Sequence, residues 1–278
     1  MSSAQDDFFR QFRTATSEQR PLPGAIVIGA QKAGSTSLAS YLAQHPRLVL
    51  AQRKEVHYFD GGRLADARRG VDVFPRGTDF YRGFFPLKAQ LPDGGMCFEA
   101  TPYYLFHPRA AERIHAVLPN VRLIAVLRDP VERAVSHYSV VARRGAETLN
   151  MDEAFRGEQE RLRAYFEKGD YHAPAVRSHS YLSRGLYLQQ LERYWSLFGR
   201  EQLCIVGSGE LATDTVGVLR RVFGFLGLDE DVVIPDLRRR NRTRERRSLE
   251  PTLRAWMDDW FEGPNQRLFD ALGYRPDW

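Results

Sequence analysis

The chain reads as an α/β protein: a central parallel sheet flanked by helices, organised around a phosphate-loop turn. Three observations lead there. Ala25-Ile26-Val27-Ile28 is an apolar run too short for a helix, and it passes through Gly29 and Gly34 into helical spacing at Leu38, Tyr41 and Leu42. A second apolar run, Val121–Leu127, leads directly into another helical pattern. Along the rest of the chain, short apolar runs alternate with amphipathic stretches, the order expected of a sheet covered by helices.

Taken in order, residues 1–20 are polar with scattered Phe8, Phe9 and Phe12, suited to a short surface helix. After the opening strand, loop and helix, His45-Pro46 ends the helix and Leu48–Ala51 offers a second short strand. Gln52–Phe80, rich in Gly, Arg and Asp, reads as a long loop over the site. Met96–Glu99 is a third strand, and Pro108–Leu118 a helix with Ile114, Val117 and Leu118 on one face. Val121–Leu127 is the strongest strand, and Pro130 suits the first turn of the helix Pro130–Arg144. Met151–Lys168 and Leu186–Phe198 are amphipathic helices, Leu203–Val206 a strand and Asp214–Leu226 a helix. The end, Glu250–Leu272, is helical with a break expected at Gly263-Pro264. No repeat or linker divides the 278 residues, so we expect a polar extension over 1–20 and a single domain over 21–278.

The formal charge is a modest +5, but only four of the 40 basic residues are Lys (32, 54, 88 and 168). Arginine's planar fork suits phosphate, sulfate and carboxylate partners, although a skewed genome composition produces the same bias. Cys97 and Cys204 lie in apolar runs and are expected as buried free thiols of a reducing compartment. Met1–Phe12 is polar and no apolar span stands out, so a soluble cytoplasmic protein is expected, without a membrane partner.

Strand, glycine loop and helix together point free amides and a helix N-terminus at a phosphate. Gly29-x4-Gly34 has Walker A spacing, yet Ser35 stands where a Walker loop has Lys, and the lysine is Lys32, two positions before Gly34. A lysine on the loop itself serves a nearer, single phosphate; the bland alternative is a tight turn with a solvated lysine. In the second segment Arg128 leaves the carboxyl end of a strand, where open α/β sheets bind ligands, and Ser136 follows within the helix. The two can hold a second phosphate, or Arg128 can pair with Asp129 or Glu132. The third segment is Arg53-Lys54-Glu55-Val56-His57-Tyr58-Phe59-Asp60. Extended, it places Glu55, His57 and Phe59 on one face, a carboxylate and an imidazole side by side as base and partner.

With these motifs in place, the chain from about Ala25 to Trp278 resembles the sulfotransferases that use 3′-phosphoadenosine 5′-phosphosulfate (PAPS). It looks nearest to the heparan sulfate glucosaminyl 3-O-sulfotransferases and their bacterial relatives. The resemblance rests on Lys32-Ala33-Gly34-Ser35-Thr36, Lys54-Glu55-Val56-His57-Tyr58-Phe59-Asp60 and Glu99-Ala100-Thr101-Pro102-Tyr103-Tyr104. It continues in Leu127-Arg128-Asp129-Pro130, Arg133, Ser136 and Tyr138, in Gly185-Leu186-Tyr187, and in Pro264-Asn265, Tyr274 and Trp278.

The resemblance implies a P-loop NTPase-like sulfotransferase fold and roles residue by residue. Lys32 and the loop Ala33, Gly34, Ser35 and Thr36 grip the 5′-phosphosulfate, while Arg128 and Ser136 bind the 3′-phosphate, with Tyr187 also on the cofactor side. Glu55 is the catalytic base, and His57, Asp60 and Tyr103 face the acceptor. The run Arg238–Arg247, seven Arg in ten residues, falls where the family closes a basic loop over the nucleotide, with Arg242 and Arg244 the matching positions. Read alone, that run is a solvated loop. Further basic residues serve a polyanionic acceptor in the heparan branch; here those places hold Thr36 and Ala100, so a sugar or small-metabolite hydroxyl is the expected acceptor. Sulfuryl transfer needs less charge neutralisation than phosphoryl transfer, so no metal is expected. Where an NTPase carries a Walker B carboxylate, this strand ends in Arg128. The alternative is a phosphate-loop kinase or NTPase. A nucleic-acid partner would ask for aromatic residues among the basic ones, and Arg238–Arg247 has none.

Overall fold

A computed structural model describes residues 13–63, 66, 68–240 and 249–278. Its frame is a five-stranded, wholly parallel sheet in the order β2-β3-β1-β4-β5, with β1 at Ala25–Gly29, β2 at Leu48–Leu50, β3 at Met96–Ala100, β4 at Arg122–Leu127 and β5 at Leu203–Gly207. Every residue of β1 is buried, as is all of β4 beyond Arg122, because helices cover both faces of a parallel sheet. Central β1 runs beside both β3 and β4, with Val27 opposite Ala100 on one side and Ile124 on the other. The loops that follow these strands therefore leave the same edge of the sheet.

The helices along the chain are α1 (Ser35–Leu42), α2 (Gly77–Arg82), α3 (Ala110–Val117), α4 (Pro130–Arg143), α5 (Met151–Arg156) and α6 (Glu158–Glu167). They continue with α7 (Pro174–His179), α8 (Tyr187–Phe198), α9 (Glu210–Thr213), α10 (Thr215–Leu226) and α11 (Pro251–Leu272). The main core packs the sheet against α1, α3, α8 and α10. A second cluster joins Val131, Ala134 and Tyr138 of α4 to Phe155 of α5 and to Leu253, Met257 and Phe261 of α11.

Three expectations about elements need correction. Gln52–Phe80 is not loop throughout: a 3-10 turn spans Phe74–Arg76 and α2 begins at Gly77, its Tyr81 buried beneath the segment. Met151–Lys168 is two helices, because the chain turns at Gly157 between α5 and α6. The break at Gly263-Pro264 does not occur. Pro264 lies inside continuous α11, whose buried Leu253, Met257, Phe261 and Leu268 keep one face seated on both sides of it. Packing there overrides the missing N–H. The helix expected within residues 1–20 falls mostly outside the described residues; from Arg13 on, the segment docks, with Arg13 and Arg20 donating to the Phe85 carbonyl at 2.7 and 2.6 Å.

Candidate active site

One cleft at the carboxyl edge of the sheet gathers most of the candidate residues: Lys32, Ala33, Gly34, Ser35, Thr36, Glu55, His57, Tyr103, Arg128 and Ser136 all line it. The loop after β1 forms its floor. Gly34, at φ +119°, is the N-cap of α1 and offers no side chain to its first turn, whose Ser35, Thr36 and Ser37 border the cleft. Lys32 itself takes a left-handed φ of +72°. Burial lowers its ammonium pKa to about 8, aided by the positive field of Arg144, Arg128, Arg143 and Arg133. An anion placed there would relieve that field.

Arg128 leaves β4 next door. Its guanidinium donates to the Lys32 carbonyl at 3.1 Å and to Glu132 at 3.3 Å. Of the two sequence alternatives the structure displays the pairing with Glu132, and the same guanidinium also braces the phosphate-loop turn. Ser136 is buried one and a half turns further along α4 and still borders the cleft. Tyr187 is wholly buried and does not line it; its hydroxyl donates to the Arg128 carbonyl at 2.7 Å, so its contact is with the backbone that carries the arginine.

Opposite stands the segment after β2. Glu55 is held from two sides: Lys54 Nζ donates to Oε1 at 2.8 Å, and His57 Nε2 lies 3.4 Å from Oε2. Burial tends to raise the Glu55 pKa, but the hydrogen bond from His57 and the Lys54 charge outweigh it and leave the carboxyl at about 2. His57 Nδ1 donates to Asp60 at 2.6 Å. Burial lowers the imidazole pKa, yet Asp60 and then Glu55 carry it up to about 9. Asp60 is fully buried behind His57, and burial is overcome by His57 and Arg177, which hold its carboxyl well below the usual range. It does not reach the cleft.

The extended face expected of this segment is not formed. His57 has φ +59°, so the chain turns there, bringing Glu55 and His57 together while Phe59 packs against Tyr58, Tyr81 and Tyr104. Sequence reasoning also missed Arg177 of α7. It donates to the Asp60 carbonyl at 2.7 Å and lies over the Tyr103 ring, 4.6 Å from its centroid. Nothing in its local sequence distinguishes it. Gln31 in the floor accepts from buried Arg184, tying the loop to the turn before α8. A sequence signal did exist for Lys54, adjacent to Glu55, but not for its grip.

Arg242 and Arg244 lie outside the described residues. The beginning of their run is described, and it is stitched along α1. Tyr41 donates to the Leu237 carbonyl at 2.9 Å, the Arg240 amide donates to Ser37 Oγ at 2.9 Å, and Arg239 and Arg240 border the cleft. Cys97 on β3 and Cys204 on β5 are free thiols, separated by two intervening strands; Cys97 is buried, Cys204 only partly so. Among the described residues no helix is long and apolar enough to cross a membrane.

A floor formed by a helix N-terminus with a lysine, a second arginine-bearing strand end and a facing carboxylate can bind an anionic group and take up a proton beside it. Comparison with known proteins agrees in kind. The sulfotransferase-domain family model matches residues 102–254. The chain is 31% identical to a structurally solved sulfotransferase from Alicyclobacillus acidocaldarius, covering 91% of this chain and 97% of that one with a TM-score of 0.74. It is 32% identical over 211 residues to heparan sulfate glucosamine 3-O-sulfotransferase 6 of Mus musculus, covering 76% of this chain and 54% of that protein. The chain thus spans about half the length of this relative. The sulfotransferase domain of the curacin biosynthetic pathway, at 16% identity and a TM-score of 0.50, is similar in fold alone. Matched so widely at this identity, the chain belongs to the sulfotransferase family, and its parallel sheet with a phosphate loop after β1 is the sulfotransferase fold.

Proposed function

We propose that this sulfotransferase moves the sulfuryl group of PAPS to a hydroxyl of a sugar or small-metabolite acceptor by in-line displacement, with Glu55 as general base. The observation that carries the reading is the convergence on one cleft of two anion-holding strand ends, Lys32 with the α1 amides and Arg128 with Ser136, facing Glu55. Bound PAPS would supply an activated sulfuryl group on a good phosphate leaving group. The residues fit such a ligand: the N-terminal turn of α1 borders the cleft beside Lys32, behind a loop where Gly34 carries no Cβ.

In this reading Glu55 accepts the proton of the acceptor hydroxyl as that oxygen attacks. His57, kept protonated by Asp60 at Nδ1, steadies the Glu55 carboxylate from Nε2. Lys32 offsets negative charge growing on the departing 5′-phosphate, and Arg128 with Ser136 fixes the distal phosphate, which does not change in the reaction. Arg53, Arg63, Arg68 and Arg69 also border the cleft on the segment that carries Glu55, and they suit an acceptor with an acidic group near its hydroxyl. Two free thiols on non-adjacent strands fit a reducing, cytoplasmic setting.

The test is a pair of titrations followed by turnover. Adenosine 3′,5′-bisphosphate should bind more tightly than ATP with Mg²⁺, and [³⁵S]PAPS should label a hydroxyl acceptor from a panel of neutral and acidic sugars and phenols. Tighter binding of ATP–Mg²⁺ would instead establish the kinase or NTPase alternative.

A further inference from the structure

Glu99, near the end of β3, is completely buried, and its hydrogen bonds come from three hydroxyls. Tyr81 donates to Oε1 at 2.7 Å, Thr101 donates to Oε2 at 2.6 Å, and the Tyr104 hydroxyl sits 3.3 and 3.4 Å from the two oxygens. Two of these hydroxyls have a second task. Thr101 Oγ1 accepts from the amides of Val56 at 3.0 Å and His57 at 3.4 Å. Tyr104 Oη accepts from the amides of Tyr58 at 3.0 Å and Phe59 at 3.5 Å. Four consecutive amides, those immediately after Glu55, therefore rest on two oxygens that both lead back to one carboxylate.

A hydroxyl has one proton to give and two lone pairs to offer. With an acceptor-only carboxylate behind them, Thr101 and Tyr104 must point their protons at Glu99, which leaves their lone pairs for the amides. We propose that Glu99 is a positioning residue: through Thr101 and Tyr104 it sets the hydroxyl polarity that holds the turn 56–59, and with it Glu55 and His57, in the arrangement facing the cleft. The inference rests on the sulfuryl-transfer reading only in calling Glu55 a base. His57 at φ +59° is a conformation that a non-glycine residue keeps only when its surroundings hold it. Burial raises the Glu99 carboxyl to about 7 against the opposing hydrogen bonds, so the acceptor-only carboxylate predominates above that pH, where its ionisation costs stability, and the hydroxyl polarity is tested there.

A glutamine at this position has nearly the same shape but the wrong polarity. Its NH₂ group must face Tyr81 on one side or Thr101 on the other, and on the Thr101 side the hydroxyl proton turns toward amides that are themselves donors. The experiment is amide hydrogen exchange of the full chain at pH 8, with adenosine 3′,5′-bisphosphate titrated into each variant as the check on the donor site. Glu99→Gln and Thr101→Val should each accelerate exchange at the amides of residues 56–59 by roughly ten- to a hundredfold. Exchange in β4 and affinity for the bisphosphate should stay within about twofold, because neither depends on the turn. Thr101→Ser, which keeps the hydroxyl, should restore wild-type protection, and the His57 ring resonances should shift in the Val variant but not in the Ser variant. Should Glu99→Gln fail to fold, the Thr101 pair carries the test. Equal protection in the Val and Ser variants overturns the proposal, as does acceleration shared equally by β4, which would make the role one of global stability. Failure of the wild type to bind the bisphosphate would strike the donor reading instead and leave the exchange result standing.

Discussion

Glu55 sits between two cations, and its chemistry follows from both. Lys54 and His57 keep the carboxyl ionised far below neutral pH, which secures the basic form but weakens it as a base. Glu55→Gln keeps the shape and removes the basicity; it should lower kcat by about 10²–10⁴ while nucleotide binding survives. His57→Ala should keep measurable kcat at saturating acceptor and show mainly in the acceptor KM. The opposite pattern would make His57 the base. Lys54→Met removes one of the two restraints, so the acid limb of the pH–rate profile should move to higher pH. Lys32 and Arg128 should divide differently. On the proposed reading Arg128→Ala removes a charge-assisted contact to an unreacting phosphate, so it should raise the donor KM by roughly 1.5–3 kcal/mol. If Lys32 faces the breaking bond as proposed, Lys32→Ala should lower kcat as well. Because burial and its arginine neighbours put the Lys32 ammonium at about 8 in the free enzyme, donor affinity should fall as pH rises above that value. The Lys32→Ala variant should lack this alkaline limb.

At the scale of elements, the turn from β1 into α1 is where local conformation and site coincide. Gly34 has φ +119°, and a Cβ there would reach Leu211 at 3.4 Å. Gly34→Ala should therefore cost about 1–2 kcal/mol of stability and weaken bisphosphate binding, measured by thermal melting and calorimetry. Pro264→Ala should act the other way. It restores an N–H and removes a ring from the interior of α11, with an expected gain on the order of 1–3 kcal/mol. This same helix shows why some elements were legible in the sequence and others were not. The strands of the sheet are mainly apolar runs, a local signal broken only by Glu99 in β3 and Arg122 at the start of β4, and each lies within a residue or two of its expected place. Pro264 is also a local signal, but the seating of Phe261 against Gly185 is not. The site divides in the same way. Lys32, Glu55, His57 and Arg128 stand in motifs, whereas the turn that joins Glu55 to His57 is held by hydroxyls more than 40 residues away. Arg177 reaches Asp60 across 117 residues without any pattern of its own.

Across the whole molecule, the site depends on segments that the sheet alone does not join. The loop after β2 carries His57 and Asp60, α7 carries Arg177, and the fully buried Asp60 carboxylate lies between them. This cluster links the molecule's stability to pH, and the sign can be worked out. His57 has its pKa raised from 6.5 to about 9 in the folded state. A base that binds its proton more tightly when folded stabilises the fold fully below the unfolded value, near 6.5, and loses that contribution as pH rises through about 9. Asp60, depressed by His57 and Arg177, contributes above the ordinary aspartate pKa and loses its share only under strong acid. Lys32 works against His57 on the alkaline side, since its lowered pKa favours folding as pH rises above about 8. The wild-type melting curve alone will therefore show a blunted slope. The difference between wild type and His57→Asn isolates the cluster, because Lys32 is common to both. That difference in thermal midpoint should be largest near pH 6, shrink steadily through pH 8, and be small by pH 10. A difference that grows with pH would mean that His57 is held neutral in the fold, and the ion cluster behind Glu55 would have to be abandoned.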